Sequence, residues 1–286
     1  MRWWQCLSML DMKELTRLAQ HAEELGFEGI TLGEHLVTFA TQYETYDYSR
    51  NNLIRWYPET DWPDPWVQIG ALSQRTTRLK FLTTVYVLPL RDPFNAAKAI
   101  ATAANLAEGR VLLGVGVGWQ ATEFEVVGHA FKSRGRRTDE MLALMEKLWT
   151  GKAISHEGEF YTMPPLQMAP GLDHPLPILI GGTSAAALER AARHDGFTGA
   201  QHELPELERM IEGLRRARAA RGLSMKNFEI ATGLYDYGER SVARCEELGV
   251  TILFRDAFCD EHGMASKLSL DEKLRNMETF AKQWLR

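Results

Sequence analysis

The sequence predicts a closed (β/α)₈ barrel, or TIM barrel, formed by one domain over residues 1–286. Short apolar segments alternate with longer amphipathic ones along the chain, a pattern typical of a parallel sheet covered by helices. Eight such strand–helix units follow one another without a break in composition, and ~250 residues is the usual size of a closed barrel. The chain has 286 residues, of which 45% are hydrophobic, enough for a large core.

The predicted strands are short apolar segments bounded by turns or by amphipathic segments. The longest of them, Leu79–Leu88, is rich in β-branched residues and is expected to be buried on both faces. In chain order the eight predicted strands are Trp3–Leu10, Phe27–Leu32, Leu79–Leu88, Val111–Val117, Pro177–Ile180, Gly196–Ala200, Phe228–Leu234 and Thr251–Phe254.

The predicted helices are recognised by apolar residues at helical spacing and by their end signals. Asp64-Pro65 and Asp92-Pro93 each begin a helix, with Asp as the N-cap and Pro in the first turn. Gly26 ends the first helix, and a capping box at Ser269–Glu272 begins the last. In chain order the eight predicted helices are Met12–Leu25, a helix that begins at Pro65, Pro93–Leu106, Thr138–Trp149, Ser184–His194, Pro205–Arg221, Glu239–Leu248 and Ser269–Leu285.

Two stretches depart from this alternation: a small hairpin, His156–Met163, inserted before the fifth strand, and a long aromatic loop, Val37–Asp64, after the second. The loop is longer than a connection requires. Its aromatic side chains either pack over the barrel or form a lid, and in a lid Trp56, Tyr57 and Trp62 would enclose an apolar substrate and exclude water. Arg50 and Arg55 could meet an anion there, although nothing selects them over other arginines.

Composition excludes several classes of function. The net charge is −5 with both signs interspersed, which argues against nucleic-acid binding. No apolar stretch approaches the roughly 20 residues that span a bilayer. The three cysteines are far apart, and no residues have metal-ligand spacing, so neither a disulfide framework nor a metal site is expected. Acidic residues come too early for a signal peptide. We therefore expect a cytoplasmic protein that acts on a small molecule.

The glycine-rich segment GRVLLGVGVGWQATEFEVVG, residues 109–128, contains Gly116–Ala121, which fits the dinucleotide fingerprint G-x-G-x-x-G/A. That fingerprint belongs near the first strand of its domain, with an acid ending the second strand. Here three units precede it, and the acid at the right distance, Asp139, begins a helix. The glycines either bend a strand end or let a planar cofactor ring lie against backbone at the end of the barrel where active sites lie.

Polar residues follow two other predicted strands. Glu34-His35 ends the second strand, and a histidine there could transfer a proton near neutral pH or simply satisfy loop backbone. Gly181–Ser184 follows the fifth strand and begins a helix, which could bind an anion through backbone N–H groups or form a capped tight turn. Thr83–Val85 places two hydroxyls in an apolar strand, where β-branched packing is the simpler interpretation.

A family resemblance covers nearly the whole chain. The segment EGRVLLGVGVGWQATEFEVVGHAFKSRGRRTDEMLALMEKLWTG resembles the signature segment of the bacterial luciferase-like flavin and deazaflavin oxidoreductases. HEGEFYTM, PILIGGTSAAALERAARHDGF and AEELGFEGITLGEHL extend the likeness. The resemblance implies a luciferase-like (β/α)₈ barrel, in agreement with the unit count, and residues 32–93 resemble the branch usually assigned coenzyme F420, a deazaflavin.

This resemblance implies an oxidoreductase that uses reduced coenzyme F420 for hydride transfer to or from a small apolar substrate. F420-dependent relatives carry an Asp-His pair at the corresponding position, which implies that His35 and Glu34 are the catalytic residues. Glu34 replaces the aspartate, and its longer side chain would have to reach the cofactor ring. Family members carry a non-proline cis peptide in a bulge of the third strand, and Thr84–Val85 is the matching step that would support the ring.

The resemblance also assigns the rest of the cofactor cleft. Gly116, Val117, Gly118 and Trp119 would line it from the fourth strand, and Gly181, Gly182 and Thr183 would contact the phosphate-bearing chain. FMN is the alternative cofactor and would make the protein a monooxygenase. A nicotinamide dehydrogenase and a non-catalytic flavin-binding relative are further alternatives. Because family members commonly dimerise through barrel helices, a homodimer is expected.

Overall fold

The computed structural model describes residues 1–39, 46, 49, 52–255, 258–259 and 267–285. Its strands and helices alternate along the chain as the apolar pattern predicts. The strands are β1 (Arg2–Cys6), β2 (Gly29–Leu32), β3 (Lys80–Thr83), β4 (Tyr86–Val87), β5 (Val111–Gly116), β6 (Ile154–Glu157), β7 (Thr162–Leu166), β8 (Ile178–Gly181), β9 (Gly196–His202), β10 (Glu229–Leu234) and β11 (Ile252–Arg255). The helices are α1 (Leu15–Leu25), α2 (Pro65–Ser73), α3 (Pro93–Leu106), α4 (Ala121–Val126), α5 (Arg134–Leu148), α6 (Ala185–Ala191), α7 (Leu204–Ala219), α8 (Glu239–Leu248) and α9 (Leu270–Trp284).

Eight strands form a closed parallel barrel. Around the ring, β1 pairs with β2, β2 with β3, β3 with β5, β5 with β8, and β8 with β9. The ring continues through β10 and β11 and closes where β11 pairs with β1. The predicted (β/α)₈ barrel is therefore confirmed. Because all eight strands run the same way, their carboxyl ends meet at one rim, which we call the barrel mouth.

Local signals set several helix ends as predicted. The Asp64 side chain accepts from the backbone N–H groups of Trp66 and Val67 at 2.9 and 3.0 Å, and Asp92 caps α3 in the same way. Gly26 ends α1 with a left-handed φ of 92°, which glycine adopts without a steric penalty. The capping box of α9 is formed by Ser269 and Glu272.

Other boundaries differ from the predictions. The predicted strand Leu79–Leu88 is divided into β3 and β4 and is followed by a 3₁₀ turn at Leu88–Leu90. Helix α5 begins at Arg134 rather than Thr138, because its first turn is polar and lies ahead of the apolar face that the periodicity detects. Strand β9 continues to His202, two residues beyond the predicted end. The short helix α4 was not predicted.

The core has two main parts. The larger lies between the barrel and its helices, and a smaller cluster drawn only from strands fills the barrel itself. The smaller cluster consists of Trp4, Leu82, Leu112, Leu179, Ala231, Ile252 and Phe254. At the amino ends of the strands, Lys80 Nζ lies 2.9 Å from Glu28 Oε1, and Arg2 pairs with Glu229. Packed side chains therefore fill the barrel, and the candidate site lies at its mouth.

The predicted hairpin before the fifth barrel strand is present as the antiparallel pair β6–β7. It packs on α5 through Glu140, whose carboxylate accepts from the backbone N–H groups of Phe160 and Tyr161, each at 2.9 Å. In the part of the chain that the structure describes, no helix is long and apolar enough to cross a membrane.

Candidate functional site

His35 lies immediately beyond β2 at the barrel mouth and is only 9% exposed. Its Nδ1 atom is 3.4 Å from Oε1 of Glu123, a residue of α4 that is 1% exposed. The same Oε1 accepts a hydrogen bond from the backbone N–H of Leu36 at 2.9 Å. Glu123 therefore fixes both the ring of His35 and the chain that carries it. A carboxylate in this position accepts from Nδ1–H and leaves Nε2 as the nitrogen that can exchange a proton.

Aromatic rings surround His35. The ring centroids of Trp56, Trp62 and Trp119 lie 4.4, 5.0 and 6.0 Å from that of the histidine. Trp56 and Trp62 also contact each other edge to face at 5.2 Å. Tyr46 packs against Trp56 and Trp119, at 5.2 and 5.3 Å. The long loop therefore places two of its three predicted substrate residues over the histidine, in an environment poor in water.

The third predicted substrate residue, Tyr57, is placed differently. It is 37% exposed, and the ammonium of Lys267 lies 5.5 Å from its ring centroid. Among the described residues, no ring contact connects Tyr57 to His35. Arg55, from the same loop, donates to Gln201 Oε1 and Cys259 Sγ, each at 3.0 Å. Arg50 lies outside the described residues, as do Tyr43 and Tyr48 of this loop.

Glu34 is buried, and both of its carboxylate oxygens accept hydrogen bonds from other residues of the chain. Oε1 accepts from the backbone N–H of Val87 at 2.6 Å, and Oε2 accepts from the Arg91 guanidinium. Burial raises the pKa of Glu34 to about 7, outweighing the opposing effect of Arg91. In this structure Glu34 connects the end of β2 to β4. The expected contact between Glu34 and a cofactor ring remains a prediction.

The expected cis peptide bond is present between Thr84 and Val85, at the break between β3 and β4. The Val85 side chain lies against two glycines of neighbouring strands. A Cβ at Gly116 would be 2.3 Å from Val85 Cγ2, and a Cβ at Gly181 would be 2.6 Å from Val85 Cγ1. These glycines therefore make room for Val85, a packing role that the sequence did not reveal.

The other predicted cofactor residues lie just beyond the carboxyl ends of β5 and β8. Gly118 has a φ of +80°, and a Cβ there would be 2.8 Å from both Phe124 and Val87. Gly182 has a φ of +115° and is followed by Thr183, which is exposed. The next residue, Ser184, caps the seven-residue helix α6 by accepting from Ala187 N at 3.2 Å. Val117 and Trp119 are half-buried at the mouth.

The structure brings the four predicted site segments together. Glu34 bonds to Val87, just after the cis peptide, and His35 contacts Trp119. Val85 lies between Gly116 and Gly181 and connects the third, fourth and fifth barrel strands. Glu123 and Arg91 complete the arrangement, and neither was predicted. The available signal for Glu123 was its place inside the segment that resembles the family signature.

The arrangement offers the buried imidazole of His35, a carboxylate that orients it, and an apolar cover. It is suited to moving a proton at His35 beside a bound organic molecule from which water is excluded. Across the described ranges, no group of three or more His, Cys, Asp or Glu side chains could hold a metal ion.

Comparison with known proteins gives one family and several relatives. The family model described as luciferase-like monooxygenase matches residues 7–248. An uncharacterized protein of Mycobacterium tuberculosis is 33% identical over 283 residues, covering 98% of each chain. An F420-dependent glucose-6-phosphate dehydrogenase of Nakamurella multipartita is 32% identical over 199 residues, covering 68% of this chain and 54% of that protein.

The fold is also that of a solved enzyme structure. An F420-dependent secondary alcohol dehydrogenase in complex with an F420–acetone adduct superposes with a TM-score of 0.76 at 16% identity. The alignment covers 98% of this chain and 97% of the other. At this identity the likeness establishes the barrel fold alone.

Proposed function

The chain belongs to the luciferase-like monooxygenase family, whose members depend on coenzyme F420 or FMN, and from that premise we propose that it is an F420-dependent oxidoreductase. It transfers a hydride to or from a small, largely apolar organic substrate at the barrel mouth. The observation that carries the proposal is the meeting of His35, the cis peptide at Thr84–Val85 and Gly116 at one end of the barrel. The relative from Nakamurella multipartita favours coenzyme F420 over FMN.

The residues at the mouth fit a planar ring system. Val85, which packs on Gly116 and Gly181 and is half-buried, presents a small side chain among the strand ends. Trp56 and Trp62 lie over His35 and carry indole N–H groups without partners among the described residues. Val85 and Gly116–Trp119 would hold the ring. Gly181, Gly182 and Thr183 would lie along its phosphate-bearing chain, at the start of α6.

His35 holds the proton that accompanies hydride transfer. Glu123 accepts from Nδ1–H, so the proton is gained or lost at Nε2. When bound, coenzyme F420 supplies two-electron hydride chemistry, which the protein itself lacks. The Glu34 carboxylate accepts hydrogen bonds from Val87 N and the Arg91 guanidinium, and these bonds fix the backbone next to His35. The tryptophans exclude water from the reacting groups.

Fluorescence titration of the purified protein with coenzyme F420 and with FMN tests the proposal. Micromolar quenching of ring fluorescence by coenzyme F420 alone is the expected result. Quenching by FMN alone would instead favour the monooxygenase, and a response to neither, with tight NADH binding, would favour a nicotinamide dehydrogenase. His35→Ala should abolish turnover and leave cofactor affinity intact. A wild-type protein that binds the cofactor but turns over no acceptor would be a non-catalytic relative.

We further propose that residues 1–286 form one domain and that two chains associate as a homodimer in the cytoplasm. The barrel helices would form the interface, because an interface at the barrel mouth would cover the proposed cofactor site. Sedimentation equilibrium of the purified chain measures the association. A mass of one chain at micromolar concentration would exclude the homodimer.

A further inference from the structure

A pocket of about 190 Å³ lies at the end of the barrel opposite the mouth. It is bounded by the start of β10, the residue before β11, and the carboxyl-terminal parts of α7 and α8. Met225, Phe228, Ile230 and Leu248 form its apolar walls. Because apolar cavities of ~150 Å³ hold benzene, this pocket has room for a ring of that size with a small substituent.

The pocket is open to solvent on one side. Gly249, which lines it, ends α8 with a φ of +84°, and a Cβ added there would meet no heavy atom within 4 Å. Asn227, on the connection between α7 and β10, also lines the pocket and is exposed. A small molecule can therefore enter between these two connections without any rearrangement of the barrel.

Arg215 gives the pocket a charged side chain. It is half-buried on α7, and its Nη2 donates to the backbone oxygen of Leu248 at 2.8 Å. A guanidinium has five N–H donors, and among the described residues Arg215 forms no ion pair with a carboxylate. The guanidinium of Arg218, which bonds only to backbone oxygens in the described chain, lies 4.4 Å from the ring of Phe228. Positive charge therefore predominates on this side of the pocket.

Glu229 is the acidic side chain of the pocket, and its charge is already balanced. It forms an ion pair with Arg2 and accepts a hydrogen bond from the hydroxyl of Thr251. The carboxylate of Glu229 is therefore held at the barrel end by other partners. Arg215 is left as a charged group that faces the pocket with no opposite charge of its own.

We propose that this pocket binds a small organic monocarboxylate whose apolar body is about the size of a benzene ring. The carboxylate accepts hydrogen bonds from Arg215, whose planar donors match two oxygens, and the ring contacts Met225 and Phe228. The site is separate from the proposed cofactor site, because His35 follows the carboxyl end of β2 whereas Glu229 begins β10. The inference goes beyond the proposed function and does not depend on it.

Arg215 also has a simpler role, as a cation that caps the carboxyl end of α8. Capping requires no ligand. If capping were its whole role, replacing Arg215 would change stability, and the protein would bind a carboxylate no better than the corresponding neutral amide.

The experiment records the methionine methyl resonances of ¹³C-methyl-labelled protein by NMR while benzoate, benzamide or toluene is added. Met225→Leu assigns the resonance that reports on the pocket. Met145→Leu assigns a control resonance, because Met145 is buried in the core on α5 and does not line the pocket. No cofactor is added, so the measurement is independent of the chemistry at the mouth.

We expect benzoate to move the Met225 resonance and to leave that of Met145 in place. Benzoate should bind at least about tenfold more tightly than benzamide, as hydrogen bonds to a charged group provide. Arg215→Gln should remove this preference. Arg216→Gln, an exposed change at the next position of the same helix, should preserve it. Met225→Trp should fill the pocket and abolish binding.

Three results would overturn the inference. A Met225 resonance that none of the three probes moves would show that the pocket binds no ligand of this class. Equal affinity for benzoate and benzamide would show that the carboxylate is not recognised. An equal loss of affinity in Arg216→Gln and Arg215→Gln would assign the effect to the general charge of α7. The comparison of benzoate with benzamide uses the wild-type protein, so it stands whether or not any variant folds.

Discussion

His35 and Glu123 stand 88 positions apart in the chain, yet the histidine Nδ1 lies 3.4 Å from the glutamate Oε1 at the barrel mouth. The contact exists because β2 and β5 both pair with β3, which brings the segments after their carboxyl ends to the same rim. The carboxylate also accepts from Leu36 N, so the two residues form one rigid unit.

Glu123→Leu should switch the neutral His35 ring from the Nδ1–H to the Nε2–H tautomer, because the acceptor for Nδ1–H is removed. Glu123→Gln retains an acceptor oxygen and should keep the Nδ1–H tautomer, while lowering kcat about 10–100-fold through loss of charge. Ring ¹⁵N chemical shifts measure the tautomer without any cofactor. Glu125→Gln, an exposed change on the same helix, should alter neither quantity. An Nδ1–H tautomer that persists in Glu123→Leu would refute the orienting role.

Gly116→Ala should disturb the cofactor platform. The added Cβ would lie 2.3 Å from Val85 Cγ2, and the valine cannot withdraw because Gly181 backs it on the other side. We expect a loss of about 1–3 kcal/mol in the free energy of unfolding and at least tenfold weaker cofactor binding. Chemical denaturation and fluorescence titration measure the two effects.

Gly70→Ala is the matched control for that substitution. Gly70 lies inside α2, and a Cβ there would meet only Leu106 Cδ1, at an ordinary 4.0 Å. Alanine is the better helix residue, so this variant should be more stable by roughly 0.5–1 kcal/mol and bind cofactor normally. Equal effects of the two substitutions would show that Val85 packing is unimportant.

Glu34 should make stability depend on pH. Its pKa is raised by burial to about 7 in the folded protein, against 4.5 for an ordinary glutamate. The folded state therefore binds this proton more tightly than the unfolded state. The resulting stability is fully present below about pH 4.5 and is lost as the pH rises through about 7. Glu34→Gln cannot titrate, so the free energy of unfolding of wild type minus that of the variant should fall by up to about 3 kcal/mol between pH 4.5 and 8.

Denaturation curves of both proteins across that range measure the difference. Glu125→Gln serves as the exposed control and should give a difference that is flat with pH. A wild-type advantage over Glu34→Gln that grows with rising pH would mean that the ion pair with Arg91 outweighs burial.

Glu140→Ala should release the β6–β7 hairpin from α5. It removes the acceptor for Phe160 N, Tyr161 N and the His156 ring, at 2.9, 2.9 and 3.1 Å. Unpaired donors of this kind cost about 1–3 kcal/mol in the free energy of unfolding. Hydrogen exchange at Phe160 and Tyr161 should accelerate, with cofactor affinity unchanged. Glu146→Ala, at an exposed position of the same helix, should leave the exchange rates as they are.

Much of the fold could be predicted because its signals are local. Asp64 caps a helix through backbone groups two and three residues ahead, and the α9 capping box spans Ser269 to Glu272. The period of apolar residues separated strands from helices in the same way. Helix α4 was not predicted, because its six residues mix polar and apolar side chains and are too few to show a helical period.

The sequence by itself determined the barrel, its order of elements and the presence of His35, Gly116 and Gly181 at strand ends. Those features depend on the polarity of neighbouring residues and on the rule that parallel strands present their carboxyl ends together. Only the tertiary structure decided that Glu123 faces His35. It also decided that Arg91 and Val87 donate hydrogen bonds to the Glu34 carboxylate. In the long loop, it placed Trp56 and Trp62 over the histidine and turned Tyr57 outward. Each of these relations joins different elements across space. Which side chain reaches a given atom follows from packing and burial, which no local pattern encodes.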